Sequence, residues 1–232
     1  MDPEDPAFHQ PAWAVRHFNP YPDTYGKRPS FGQWLKQTWP DIVTMIFTGA
    51  VGLIVFHLPP APSRSIAVTY ANGQIVYPEF AYPQRQVIVP IWLATLLASG
   101  IPIAAILLAQ IRIRSFWDAN NGITGLLYGL VTAATLQALI KWLIGGLRPH
   151  FLDVCQPDPD ILEAASGSGY GNLYYTSEIC TGDAWDVRDS LESFPSGHST
   201  AAFAGFVYLS LYLNAKLKVF SNSVRLGVFY CC

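Results

Sequence analysis

The chain has 232 residues, of which 51% are hydrophobic and only 13% are charged, and its formal net charge is −2. Soluble domains have roughly 25% charged residues, so this composition argues against a water-soluble globule. The apolar residues lie in long blocks and not at the periods of amphipathic helices or strands, which is typical of a membrane protein.

Four apolar blocks predict membrane-spanning helices. The first three run from Ile42 to Leu58, from Val87 to Ala109 and from Gly122 to Ile144, and each is close to the ~20 residues that a crossing requires. The fourth, Ser199 to Leu213, is shorter, and Val219 to Tyr230 has the composition of the first half of a fifth span. Buried helices of a large soluble protein are the weaker alternative, because so few charges interrupt the blocks. The predicted fold class is an all-α, multi-span transmembrane bundle.

The basic residues predict the orientation of these spans. If the blocks cross the membrane in turn, most basic residues near the span ends fall on one side, which the positive-inside rule makes the cytosol. We therefore expect a cytosolic tail at residues 1–40, a membrane domain at 41–232, and outer loops at 59–86 and 148–196. The basic residues on the cytosolic side are Arg16, Lys27, Arg28, Lys36, Arg112, Arg114, Lys216 and Lys218.

The two outer loops carry further signals. Asn72-Gly73 marks a turn in the first loop, and its flanks could pair as a hairpin. Cys155 and Cys180 lie in the second loop, where an oxidising lumen or exterior would permit a disulfide. The second loop is also rich in Asp and Glu, which argues against nucleic acid as a partner.

Two cations lie at the end of the third block, in the stretch "KWLIGGLRPHF". Lys141 alone is compatible with a snorkelling anchor whose ammonium reaches the headgroups. Arg148 follows two helical turns later, so we expect both side chains on one face of a helix that Pro149 ends. Because the two cations would repel each other, an anion between them is expected, and a guanidinium matches the geometry of phosphate.

The stretch "ESFPSGHST" precedes the fourth block. Its Pro-Ser-Gly turn brings Gly197, which lets the backbone approach a ligand, next to Ser196, whose hydroxyl can donate. A helix starting near Ser199 would present free amide groups to the same space, which favours an anion. His198 alone would be interpreted as a helix residue that bonds its neighbours, but beside a phosphate site it is a candidate proton donor.

Together these two blocks resemble the type 2 phosphatidic acid phosphatase superfamily, the membrane lipid phosphate phosphatases. Lys-x6-Arg-Pro followed by Pro-Ser-Gly-His is similar to the first two of its three signature blocks. The stretches "RIRSFW", "KWLIGGLRPHF" and "PEFAYP" particularly resemble fungal members that act on phosphatidate and diacylglycerol pyrophosphate.

The resemblance implies hydrolysis of a lipid phosphate without a metal or other cofactor, at a site facing the lumen or exterior. The residues matching Lys141 and Arg148 hold the phosphate in the family, and those matching Ser196 and Gly197 complete its cradle. The residue matching His198 protonates the leaving oxygen. Complete members have six spans and form a phosphohistidine intermediate. The lipid, the oligomeric state and the membrane, whether vacuolar, endoplasmic reticulum or plasma membrane, stay open.

The family's third block, Ser-Arg-x5-His-x3-Asp, supplies the nucleophilic histidine in the family. Residues 199–232 contain no histidine and no acid, and their single arginine is Arg225. We therefore expect either a product truncated before the third block or a short form that lost catalysis, inactive as given in both cases. A helix that ended within the membrane would leave carbonyl groups unsatisfied, which favours truncation.

Three other functions are alternatives to hydrolysis. The first is a membrane protein that binds lipid phosphate headgroups through the same residues without cleaving them. A transporter is disfavoured, because Lys141 lies near a span end and not at mid-depth. Haloperoxidases share the signature blocks, but they are soluble.

Overall fold

The protein is built from helices joined by two structured loops. The computed structural model describes residues 29–58, 65–70 and 73–217, so the expected partial fifth span lies outside the described residues. In chain order the helices are α1 (Phe31–His57), α2 (Ile91–Ile113), α3 (Phe116–Leu143), α4 (Phe151–Cys155), α5 (Pro159–Glu163), α6 (Ala184–Ser190) and α7 (Gly197–Leu217).

Within the described residues, α1, α2 and α3 are long and apolar enough to cross a membrane. The fourth predicted span forms α7, whose 21 residues correspond to about 31 Å of helix. Helix α7 is not among these three helices, because polar residues such as His198 and Asn214 lower its mean hydropathy. The all-α multi-span fold class is confirmed, and the count of four spans stays a prediction.

The long helices begin at sequence signals that lie outside the apolar blocks. Helix α1 starts well before Ile42 and within the expected tail, because Ser30 and Gln33 form a capping box with reciprocal side-chain to backbone hydrogen bonds. Helix α2 starts directly after Pro90, and the hydroxyl of Ser115 caps α3. Apolar blocks therefore located the helices but not their ends.

Helix α3 lies at the centre of the bundle and packs against α1, α2 and α7, and α2 also packs against α7. Small residues allow the close approaches. A Cβ at Gly52 would lie 2.6 Å from the hydroxyl of Thr135, which itself donates to the carbonyl of Thr48 at 3.0 Å. A Cβ at Gly205 would lie 2.0 Å from the carbonyl oxygen of Ala98. Small residues at such contacts are typical of helix packing in membranes.

The bundle has two distinct ends. Helices α1 and α3 finish where α2 and α7 begin, and both interhelical loops lie there, so we call this the loop end. The opposite end holds the start of α1, where Trp34 donates to Asn120 at 2.7 Å, and the end of α7.

The two loops form a single cap at the loop end. Strand β1 (Ile66–Ala67) of the first loop pairs antiparallel with β2 (Tyr174–Tyr175) of the second. The expected hairpin is present, since the amide of Tyr70 donates to the carbonyl of Gln74 at 2.8 Å. A buried cluster joins both loops, and its members are Ile66, Val68, Phe151, Cys155, Tyr175, Ile179 and Leu191.

Cys155 and Cys180 form a disulfide in this cap, which is the pairing that the sequence led us to expect. The bond joins the end of α4 to the segment before α6, and α4 also packs against α6. The cap therefore has its own apolar core and its own covalent link, and it holds α6 in a defined position above the bundle.

Candidate functional site

Three backbone hydrogen bonds join the segment that follows α3 to the segment that precedes α7. The amide of Gly146 donates to the carbonyl of Leu191, and the amide of Ser193 donates back to the carbonyl of Gly146, both at 3.0 Å. The amide of Arg148 donates to the carbonyl of Ser190 at 2.8 Å. We call this pairing the strap. It places the Arg-Pro block beside the residues that lead into Pro-Ser-Gly-His.

Arg148 does not lie on α3, so the prediction that Lys141 and Arg148 share a face of one helix is wrong. Helix α3 ends at Leu143 and not at Pro149. The reason lies in the two glycines between the cations, since Gly145 has φ 54° and Gly146 has φ 140°, values that favour glycine. The chain therefore turns out of the helix before it reaches Arg148.

The guanidinium of Arg148 is already engaged by a carboxylate. Its Nη2 donates to Oδ1 of Asp189 at 2.6 Å, and the two side chains are 29% and 47% exposed. The Nε of Arg148 is buried and has no hydrogen-bond partner among the described residues. The Nε of Arg148 is thus a donor to which no described residue offers an acceptor.

Lys141 is half-buried and lies within electrostatic reach of Arg148, Asp189 and Glu192. It lines a small cavity of about 30 Å³, with room for about one or two water molecules. Binding a phosphate there requires side chains to move. The other residues that line the cavity are Phe56, Trp185, Arg188, Asp189 and Glu192.

Ser196 caps the start of α7. Its hydroxyl oxygen accepts from the amide of Ser199 at 3.5 Å, and its carbonyl accepts from the amide of Thr200 at 3.0 Å. The side chain is exposed. The hydroxyl was expected to donate to a ligand, and its proton is still available for that while its oxygen accepts the amide.

Helix α3 also contacts the Pro-Ser-Gly turn. Gln137 donates to the carbonyl of Pro195 at 3.4 Å, and it lies one turn before Lys141 on the same face of α3. Little space surrounds Gly197, because a Cβ there would lie 3.0 Å from Cδ1 of Ile91 and 3.3 Å from Nε2 of Gln137. One face of α3 therefore supports both the turn and the first cation.

His198 lies at the first turn of α7 and is exposed. Its Nε2 lies 2.6 Å from the carbonyl oxygen of Val89, at the entry to α2. A carbonyl oxygen can only accept, so this contact requires the proton on Nε2. The expected proton donor therefore holds its proton at the atom that faces Val89.

Arg188 joins α6 to the end of α1 by hydrogen bonds. Its guanidinium donates to the carbonyl oxygens of Phe56 and Leu58, the latter at 2.6 Å. Its Nε lies 3.9 Å from Oε1 of Glu192, one turn later. The ring of Trp185 also packs edge-on against that of Phe56, with centroids 6.4 Å apart. These contacts form one wall of the cavity.

The sequence reasoning missed four residues around the site: Gln137, Arg188, Asp189 and Glu192. Gln137 could have been found, because it lies four residues before Lys141 and so on the same helix face. The two acids were interpreted only as part of an acidic surface. Their contact with the cations depends on the strap, which no local pattern signals.

Comparisons with known proteins point to one family. The family model described as PAP2 superfamily matches residues 122–232, which include both signature blocks. No solved structure matches the chain significantly. The match begins within α3 and covers the second loop with its part of the cap, the strap and α7.

Three relatives illustrate the similarity. Two PA-phosphatase related-family proteins of Dictyostelium discoideum are 39% and 35% identical to the chain, over 64% and 79% of it and over 41% and 52% of their own lengths. Lipid phosphate phosphatase 1 of Arabidopsis thaliana is 33% identical, over 65% of the chain and 43% of its own length. The chain thus spans about half the length of these relatives. It is an integral membrane protein whose residues 122–232 belong to the PAP2 superfamily, as the two sequence blocks led us to expect.

Proposed function

We propose that this protein removes phosphate from lipid phosphates, such as phosphatidate or diacylglycerol pyrophosphate, by hydrolysis without a metal ion. The observation that carries the proposal is the strap, which holds the block containing Arg148 beside the Pro-Ser-Gly-His turn. The names of the relatives, which include Lipid phosphate phosphatase 1, support the same class of substrate.

Phosphate binding is assigned to the two cations and the turn. The ammonium of Lys141 supplies a point charge, and the guanidinium of Arg148 supplies several donors, including the buried Nε without a partner among the described residues. The hydroxyl of Ser196 and the close backbone at Gly197 complete the cradle. Charge-assisted hydrogen bonds of this kind are stronger than neutral ones, so the cations contribute most of the affinity.

Protonation of the leaving oxygen is assigned to His198. In the proposed step a histidine of the family's third block bonds to phosphorus while the bond between phosphorus and the lipid oxygen breaks; residues 199–232 do not contain that histidine. The proton on Nε2 of His198 passes to the lipid oxygen, so the lipid leaves as an alcohol. His198 must first release the carbonyl of Val89. In the family pattern a histidine of the third block attacks phosphorus, and water then hydrolyses the phosphohistidine.

We further propose that the loop end faces the lumen or exterior and that the N-terminus is cytosolic. The distribution of basic residues supports this orientation. The disulfide between Cys155 and Cys180 supports it independently, because such bonds persist on the oxidising side of a membrane. The substrate then lies in the leaflet next to the cap.

Binding is tested with the chain in phosphatidylcholine nanodiscs. We expect saturable binding of dioctanoyl phosphatidate and none of dioctanoylglycerol, which differs only by the phosphate. Lys141→Gln should weaken phosphatidate binding about tenfold, since it removes a charge-assisted contact. Lys36→Gln, an equal charge change at an exposed residue of the opposite end, is the control. Equal binding of the two lipids would contradict the proposal.

Hydrolysis is tested by phosphate release from phosphatidate, in excess EDTA, with a version of the chain extended by the family's third block, since residues 199–232 hold no candidate nucleophilic histidine. His198→Ala should lower the rate about 100-fold or more and leave binding nearly unchanged, because a general acid acts on the leaving group. His57→Ala, at an exposed histidine of the same end, is the matched control. We expect no release from the chain as given. Binding without any release by the extended version would instead support the alternative, a protein that holds lipid phosphate headgroups.

A further inference from the structure

The cavity beside Lys141 has walls of two different kinds. One wall is charged and contains Lys141 together with the ionic groups of α6 and the residues after it. The other wall is aromatic and consists of Phe56 and Trp185, whose rings pack edge-on. A ligand that contacts both walls must therefore be polar at one end and apolar at the other. Side chains must move to admit it, because the cavity itself holds only about one or two water molecules.

The aromatic wall is open to the surroundings of the bundle. Phe56 is 45% exposed and Trp185 is 58% exposed, although both rings line the same cavity as the buried part of Lys141. Phe56 belongs to the last turn of α1, which is one of three described helices long and apolar enough to cross a membrane. An exposed apolar surface of α1 thus adjoins the cavity beside Lys141.

The backbone position of Trp185 is held by contacts of other residues on α6. Arg188 lies one turn after Trp185 on the same face of α6, and its hydrogen bonds to Phe56 and Leu58 hold that face against α1. Val187, on another face of α6, is buried in the cap. The helix is therefore anchored on two sides, and the backbone of Trp185 is held beside Phe56 before a ligand arrives.

We propose that Phe56 and Trp185 form a docking site for the acylglycerol part of a lipid phosphate, whose phosphate lies on Lys141 and Arg148. The inference rests on the proposed function and extends it. The aromatic pair makes the site selective for phosphate monoesters carried by a lipid over water-soluble esters with the same phosphate. Large aromatic rings suit this role, because they bury much apolar area with few rotatable bonds.

The test compares two ligands that share a headgroup. Dioctanoyl phosphatidate and glycerol 3-phosphate are titrated against the chain in phosphatidylcholine nanodiscs. Trp185→Ala should weaken binding of dioctanoyl phosphatidate about five- to tenfold, from the loss of partly buried aromatic area, and change that of glycerol 3-phosphate less than about twofold. Trp185→Phe should restore most of the loss. Tyr170→Ala, at a 94% exposed aromatic residue of the same cap, should alter neither affinity.

The possible results separate this inference from the proposed function. Equal weakening of both ligands by Trp185→Ala would overturn the inference, because the ring would then only support the fold around the cations. Unchanged binding of both ligands would overturn it as well. If the unsubstituted chain bound neither ligand, the proposed function would fall and this inference with it.

Discussion

Helix α3 has a charged cluster near each of its ends, and the fold completes only one of them. At the opposite end, Oδ2 of Asp118 accepts from the hydroxyl of Tyr212 and from Nε2 of Gln110, both at 2.7 Å. Its Oδ1 forms an ion pair with Lys216. The carboxylate side chain is only 14% exposed, and its partners come from α2 and α7. Every oxygen of this carboxylate has a partner within the bundle.

At the loop end the groups are only partly matched. Arg148 has one ion pair and a buried Nε that lacks a partner among the described residues, and its carboxylate partner Asp189 is 47% exposed. A cavity lies beside Lys141. A closed cluster stabilises the packing of three helices, whereas an open one can exchange a protein carboxylate for a ligand. The difference between stability and binding should therefore separate the two ends in experiments.

The largest effect is expected at the closed cluster. Asp118→Ala leaves Lys216 and the hydroxyl of Tyr212 without their acceptor, which should cost about 2–3 kcal/mol of stability. The thermal unfolding midpoint in detergent should fall by several degrees, while phosphatidate affinity of the folded fraction stays within about twofold. Asp41→Ala, at an exposed residue of α1, is the control. A large loss of affinity in Asp118→Ala without a loss of stability would contradict the division of roles.

The second effect is expected at the open cluster, where a substitution should change binding more than stability. Arg148→Gln should weaken phosphatidate binding about tenfold or more, because a guanidinium contact to phosphate is lost. The unfolding midpoint should change little, since the ion pair with Asp189 is partly exposed. Arg85→Gln removes the same charge from an exposed position of the first loop and serves as the control. The prediction fails if Arg148→Gln unfolds the chain as readily as Asp118→Ala does.

Sequence patterns located the helices and the signature residues but not the relation between the two ends. Apolar blocks gave α1, α2 and α3, since a membrane demands long apolar runs, and the loop cysteines and the Asn-Gly turn indicated the disulfide and the hairpin. The helix face assigned to Arg148 was wrong, because two glycines with positive φ end α3 before it. Local spacing also gave no sign of Asp189, whose partner lies 41 residues away along the chain.

The smallest effect concerns Asp189 itself. Its carboxylate occupies Nη2 of Arg148, so an incoming phosphate must displace it before it can use that donor. Asp189→Asn removes the competing charge but keeps the side-chain size. Affinity for inorganic phosphate, measured by calorimetry, should rise about threefold, which corresponds to a partly exposed ion pair worth less than 1 kcal/mol. Asp186→Asn makes the same change at a partly exposed position one turn earlier on α6 and should have no effect. A fall in affinity in Asp189→Asn would mean that the carboxylate orients Arg148 for phosphate, and the loop-end cluster would then be as closed as the cluster around Asp118.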